Sequence, residues 1–281
     1  MHGLGNDFVI VDARQRPFPL TARQAAAIAD RHQGVGCDQV IVMEALDPDR
    51  SRAGDQDADL FMRIYNSDGS EAGACGNATR CVAWLLFAES GKRQAVIRTL
   101  NGNLACRAAE NGLITVDMGP AYLAWDEVPL AYEMNTLKLD LSVGPLRDPT
   151  ALSVGNPHAV FIIEDPAADL FDLPLEQLGP LIEHDKLYPE RTNVQLVQPL
   201  SRDHLKQRIW ERGAGLTLAS GSGACAAIVA AVRRGVANRK ARVDQPGGSL
   251  WMEWREQDGH VLMTGPVATA FVGDLDPSLL A

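Results

Sequence analysis

The chain has 281 residues, a net charge of −10, and a composition of 46% hydrophobic and 22% charged residues. That length suits one large domain or two modest ones, and the negative charge argues against a nucleic-acid backbone or an anionic membrane as partner. No apolar run approaches the ~20 residues of a membrane-spanning helix, and the N-terminus shows neither the basic leader nor the apolar core of a signal peptide. The five cysteines are Cys37, Cys75, Cys81, Cys106 and Cys225. An odd number of cysteines, with no export signal, predicts reduced thiols in a cytoplasm. No Cys-x-x-Cys pair and no His-rich tract accompanies them, so no metal site is expected.

Short strand-like runs dominate. Phe8-Val9-Ile10-Val11 comes first, and Thr21 is then placed to cap an alanine-rich helix over 22–31. Val40-Ile41-Val42-Met43 and Leu60-Phe61-Met62-Arg63-Ile64-Tyr65 read as strands, and residues 77–89 as a helix apolar on most faces, hence buried. Leu113-Ile114-Thr115-Val116 and Ala159-Val160-Phe161-Ile162-Ile163 are further strands, and residues 222–234 a second buried helix. Asn101-Gly102, Asn111-Gly112 and Asp258-Gly259 mark turns between elements.

The two buried helices are entered alike. Asn66 and Glu211 each end a strand-like run, and nine positions later stand Cys75 and Ser220. Cys75 is followed by Gly76-Asn77, Ser220 by Gly221-Ser222. This pairing indicates a diverged internal duplication: an α+β protein of two pseudo-symmetric domains, each a mostly antiparallel sheet around a central helix. The expected division is 1–118 plus 266–281 for the first domain and 119–265 for the second. A Gly-rich turn into a helix leaves outward N–H groups and a favourable dipole, which suit an anion. Two such ends aimed at one carboxylate would put the residue before each glycine on opposite sides of the ligand. One group would then remove a proton from one face while the other returns a proton to the opposite face. A thiol suits this work, since its free pKa of ~8.5 falls further at a helix N-terminus.

His2-Gly3-Leu4-Gly5-Asn6-Asp7-Phe8, residues 66–81, Gly155-Asn156-Pro157-His158 and Glu211-Arg212-Gly213-Ala214-Gly215 together resemble diaminopimelate epimerase. The resemblance runs over essentially the whole chain, with the motifs in that family's order. It implies a cofactor-independent isomerase that interconverts LL- and meso-diaminopimelate for lysine and peptidoglycan synthesis, in a two-domain fold and as a homodimer. Carried over residue by residue, Cys75 matches the first catalytic cysteine. Gly76 and Asn77 match one carboxylate-binding helix end, and Gly221 and Ser222 the other. Asn6, Gln39, Asn66, Asn156 and Asn193 match substrate-binding side chains, Glu211 and Arg212 match residues that grip the substrate's distal end or its charges, and His158 matches a histidine lining the site.

Two departures stand out. Ser220 occupies the place of the second catalytic cysteine, and Met1 directly abuts the first motif, so either the start codon is assigned too late or the first strand is short. A serine hydroxyl is a poor base at neutral pH, so impaired epimerisation is expected. Two other readings stay open: a dehydratase or racemase of another amino acid, and a catalytically silent amino-acid binder. Calorimetry with a turnover assay separates the binder from the enzymes. Cys37, Cys81, Cys106 and Cys225 read as packing residues, and His32, His184, His204 and His260 as surface residues without partners.

Overall fold

The structure is a computed structural model and describes residues 1–46 and 57–280. The chain divides into two compact units, Met1–Asp117 with Thr264–Ala281, and Met118–Met263.

The first unit carries β1 (His2–Gly3), β2 (Asn6–Ala13), α1 (Ala22–Ala29), β3 (Gln39–Glu44), β4 (Leu60–Asn66), β5 (Glu71–Ala72), α2 (Gly76–Ser90), β6 (Gln94–Thr99), β7 (Gly102–Ala108) and β8 (Ile114–Pro120), the last of which runs into the second unit. Their order is β1-β2-β3-β4-β6-β7-β8, with β5 added beside β4. β2 runs parallel to β3 and β4 parallel to β6, while β1–β2, β3–β4, β4–β5, β6–β7 and β7–β8 are antiparallel. β1 is two residues long and reaches only Asn6 and Asp7 of β2.

The second unit contains β9 (Ser142–Val143), β10 (Leu146–Arg147), β11 (Thr150–Ser153), β12 (Pro157–Ile162), α3 (Leu175–Glu183), β13 (Asn193–Ser201), β14 (His204–Glu211), β15 (Gly215–Leu216), α4 (Gly221–Arg233), β16 (Lys240–Gln245), β17 (Gly248–Trp254) and β18 (His260–Gly265), which ends in the first unit. β9 and β10 form a separate hairpin. The main order is β11-β12-β13-β14-β16-β17-β18, with β15 beside β14. β12 is parallel to β13 and β14 to β16, while β11–β12, β13–β14, β14–β15 and β16–β17 are antiparallel. Strand for strand, the second unit repeats the topology of the first. Each unit inserts a helix between its two parallel strands and a second helix after its short hairpin strand. This is the α+β, pseudo-symmetric architecture that the paired loops imply.

The helices follow from local chemistry. Thr21 and Gln24 form a reciprocal capping box at the start of α1, and Ala25 and Ile28 turn inward onto Val40, Val42 and Tyr65. α2 is buried through its first two turns, from Gly76 to Ala83, and ends at Gly91 with φ +70°, a left-handed conformation that glycine adopts without strain. α4 is buried on every side from Gly223 to Ala231. Its small alanines let the sheet close around it. Both buried helices begin one residue earlier than their apolar patterns alone indicate, at Gly76 and Gly221, because Cys75 and Ser220 keep extended backbone and act as the capping residues. α3 is an element that the sequence pattern hides. Pro180 lies inside it and Gly179 packs on Trp210, where an added Cβ would meet the indole at 2.5 Å. Leu175, Leu178 and Ile182 nevertheless share one buried face against Phe161, Val194 and Leu196.

Candidate active site

In the first unit, the β4–β5 hairpin delivers the chain to α2, with Asn66 pairing Gln39 across the sheet. Gly73 lies so close to Asn101 that any Cβ would meet that side chain at 2.1 Å, and Asn101 N–H bonds the Gly73 carbonyl at 3.1 Å. This contact holds the approach to Cys75. Cys75 caps α2 with extended backbone, and its carbonyl accepts from the Thr79 N–H and Oγ1 at 2.9 and 2.8 Å. Its Sγ stands 3.9 Å from Asn6 Oδ1, and the same oxygen accepts from Asn77 Nδ2 at 3.1 Å. Gln39 Nε2 donates to Asn66 Oδ1 at 2.9 Å, and Asn66 Nδ2 donates to Ser70 Oγ at 3.0 Å. The acceptor atoms Gln39 Oε1 and Asn77 Oδ1 are buried without a protein partner. Buried amide oxygens of that kind are expensive unless a ligand or water engages them.

In the second unit, the β14–β15 hairpin delivers the chain to α4. Ser220 caps that helix, its Oγ accepting from Gly223 N–H at 3.2 Å, and its own N–H donates to Gln245 Oε1 at 2.7 Å. The Ser220 hydroxyl donates to Glu211 Oε2 at 2.7 Å, and Thr217 Oγ1 donates to Glu211 Oε1 at 2.6 Å. Glu211 is therefore turned onto the residue in the thiol's place, a partnership that the sequence reading, which assigned it to the substrate's distal end, did not contain. Asn193 Oδ1 accepts from the Arg212 backbone N–H at 3.0 Å, and Asn193 Nδ2 donates to the Pro157 carbonyl at 2.9 Å. The Arg212 guanidinium bonds the Glu190 carbonyl at 2.9 Å. Asn156 Nδ2 reaches Ser222 Oγ at 3.4 Å, beside Gly221 in the first turn of α4.

His158 lines this group from within rather than from the surface. It is fully buried, and burial pushes its imidazole down to about 3, with the Arg212 charge acting in the same direction. It is therefore neutral. Gln195 Nε2 donates to His158 Nδ1, so the proton sits on Nε2, which donates to Asn156 Oδ1 at 2.8 Å. Gln195 carries little sequence signal, being one of several polar residues along β13 with Asn193 and Gln198. The unfolded imidazole titrates near 6.5. Below that pH the unfolded chain takes up a proton that the folded chain refuses, so stability is lost as pH falls from 6.5 toward 3. His158→Gln is expected to make the fall in stability over that window shallower by up to about 1.4 kcal/mol per pH unit, read from urea unfolding at stepped pH.

The remaining cysteines, Cys37, Cys81, Cys106 and Cys225, are all buried, and only Cys75 is partly exposed. Burial pushes Cys81 and Cys106 up to about 12, which suits inert packing groups. His204 differs from the sequence reading, in that it pairs with Asp244 at 2.7 Å across the parallel β14–β16 pair. Among the described residues no helix is long and apolar enough to cross a membrane, and no group of three or more His, Cys, Asp or Glu could hold a metal.

The two units repeat one topology, and each sets a nucleophile-type side chain, Cys75 or Ser220, at the cap of a buried helix. The fold is similar to a hydroxyproline epimerase from Agrobacterium vitis with bound trans-4-hydroxy-L-proline, at a TM-score of 0.61 and 12% identity, covering 94% of this chain and 87% of that one. The family model for diaminopimelate epimerase matches residues 1–124 and 150–270. The chain is also 54% identical over 280 residues to the diaminopimelate epimerase of Rhodospirillum centenum, covering all of this chain and 92% of that protein. It is 52% identical over 281 residues to that of Acidiphilium cryptum, covering all of this chain and 96% of that protein. The chain belongs to the diaminopimelate epimerase family. It is an isomerase that epimerises the small molecule diaminopimelate, a reaction of lysine biosynthesis.

Proposed function

We propose that the chain epimerises LL-diaminopimelate to meso-diaminopimelate by a two-base, cofactor-independent route in which Cys75 serves one face of the α-carbon and Ser220 the other. The observation that carries this reading is the equivalence of the two positions. Each is the extended cap of a buried helix, entered from a short hairpin strand in the same place of a repeated topology. The N–H groups at Gly76 and Asn77, and at Gly221 and Ser222, are the anion-binding ends for the substrate's α-carboxylate. Asn6, Gln39, Asn66, Asn156, Asn193 and Arg212 supply the polar grip on the rest of the molecule, and His158 holds Asn156.

Ser220 does not work as a free base. Its hydroxyl proton is already committed to Glu211, so it passes a proton between that carboxylate and the α-carbon, and net epimerisation is slow. The two compact units, 1–117 with 264–281 and 118–263, act as the two epimerase domains. The protein works as a homodimer in the cytoplasm, a setting supported by its five free thiols.

The experiment is deuterium uptake at the α-carbon in heavy water, followed by NMR for each stereoisomer. The Cys75 face is expected to exchange faster than net inversion proceeds. Absence of uptake with either isomer would sink the reading.

A further inference from the structure

The Cys75 corner of the first unit contains an acidic side chain that the proposed function leaves idle. Asp38 lies in the segment between α1 and β3, one residue before Gln39. Its Oδ1 accepts from Arg31 at 2.7 Å, and its Oδ2 accepts from Asn6 Nδ2 at 2.8 Å and from the Asp7 N–H at 3.2 Å. Arg31 also grips Asp7 through two hydrogen bonds of 2.9 and 2.8 Å. Burial tends to raise the Asp7 carboxyl, but the bonds from Arg31 and the Asp38 N–H outweigh it and hold Asp7 below the usual carboxylate range.

A carboxylate can only accept. Asn6 must therefore face Asp38 with its amino group, which turns its oxygen toward Cys75 Sγ and Asn77. The same logic passes on to Asn77. It meets an oxygen, so it presents Nδ2, and its own Oδ1 is left as the buried, unpartnered acceptor. One exposed carboxylate thus sets the sense of two amides in succession.

We propose that Asp38 is a positioning residue for the epimerase reaction, fixing the Asn6 amide so that an acceptor rather than a donor faces Cys75 and the sulfur is held as a thiol ready to give its proton to the α-carbon. The inference rests on Cys75 being the proton-transfer group of the preceding section. An oxygen beside the sulfur favours S–H and disfavours the thiolate, whereas an N–H there does the reverse.

Asp38→Asn inverts the arrangement. Arg31, Asn6 and the Asp7 N–H all donate to Asp38, so one side must lose its acceptor; the charged guanidinium makes the stronger bond, draws the new carbonyl to itself and leaves the amino group facing Asn6 and the Asp7 N–H. Two amino groups cannot bond, so Asn6 turns over and offers its own N–H to Cys75. The charged groups around this corner are Asp7, Asp38 and Arg31 on one side, and the Arg80 guanidinium and the Met1 ammonium, both of which act on the neighbouring Cys81 thiol, on the other. Asp38→Asn also removes one negative charge. Asp7→Asn removes the same charge from the same arginine without touching the Asn6 side chain, and is the control.

The test is the pH profile of Cys75 alkylation by iodoacetamide, read by intact mass, since the other four cysteines are buried. Asp38→Asn is expected to lower the midpoint by about one pH unit, a roughly tenfold faster reaction below it. Asp7→Asn is expected to leave the midpoint nearly in place. An unmoved midpoint in Asp38→Asn, or an equal drop in Asp7→Asn, overturns the proposal. Cys75→Ala is assayed separately for α-hydrogen exchange. Loss of exchange supports the catalytic role of Cys75, and its retention overturns that role while leaving the alkylation result to judge Asp38.

Discussion

Ser220→Cys is expected to raise the turnover of diaminopimelate by roughly 10²–10⁴-fold, the range that a positioned acid–base group supplies. A serine hydroxyl holds its proton at any working pH, whereas a thiol ionises near 8.5 and lower still at a helix N-terminus. The surroundings are already arranged for the change. Ser220 caps α4 with extended backbone, its N–H is tied to Gln245 at 2.7 Å, and its Oγ stands 2.7 Å from a carboxylate that can take a proton. A sulfur at this position inherits both the helix end and the proton acceptor. The gain has a structural cost. The hydroxyl accepts the Gly223 N–H at 3.2 Å, and a thiol is a weaker acceptor, so about 1 kcal/mol of capping stability is lost. Steady-state rates and melting curves of the two proteins check both halves, with a faster and slightly less stable variant as the expected result. Equal rates would show that the missing thiol does not limit the reaction.

Glu211→Gln is expected to lower turnover by about 10²-fold in the parent, and by a similar factor in the Ser220→Cys background. Glu211 accepts from Ser220 on one oxygen and from Thr217 on the other, so both hydroxyls must donate to it. Glutamine keeps the shape but brings an amino group. One of the two hydroxyls then loses its acceptor, and the site loses its proton sink. The shape being preserved, melting should move little while the rate falls. A variant that keeps its rate in both backgrounds would reduce Glu211 to a brace for the β14–β15 hairpin.

Much of this was legible without coordinates because it is local. The Gly-rich approaches to the two buried helices, the shared nine-residue step from Asn66 to Cys75 and from Glu211 to Ser220, and the order of four motifs are all properties of short segments. Thr21 announced its helix in the same way, since a capping box closes within one turn. α3 was not legible, because Pro180 and Gly179 break the local pattern and only packing of the helix on Trp210 and Phe161 sustains it. His204 looked solitary because Asp244, its partner, lies forty residues away on a parallel strand.

The division follows from the range of the forces involved. By itself the amino-acid sequence determined the α+β class, the duplication, the family and the serine standing where a thiol is expected. Each of these is carried by residue type and spacing along one stretch of chain. Only the tertiary structure decided what each polar group does. Hydrogen bonds act over about 3 Å, and which donor meets which acceptor depends on strand register rather than on sequence order. Register brings Gln195 to His158, while the packing of a loop and of a helix cap against the sheet brings Asp38 to Asn6 and Glu211 to Ser220.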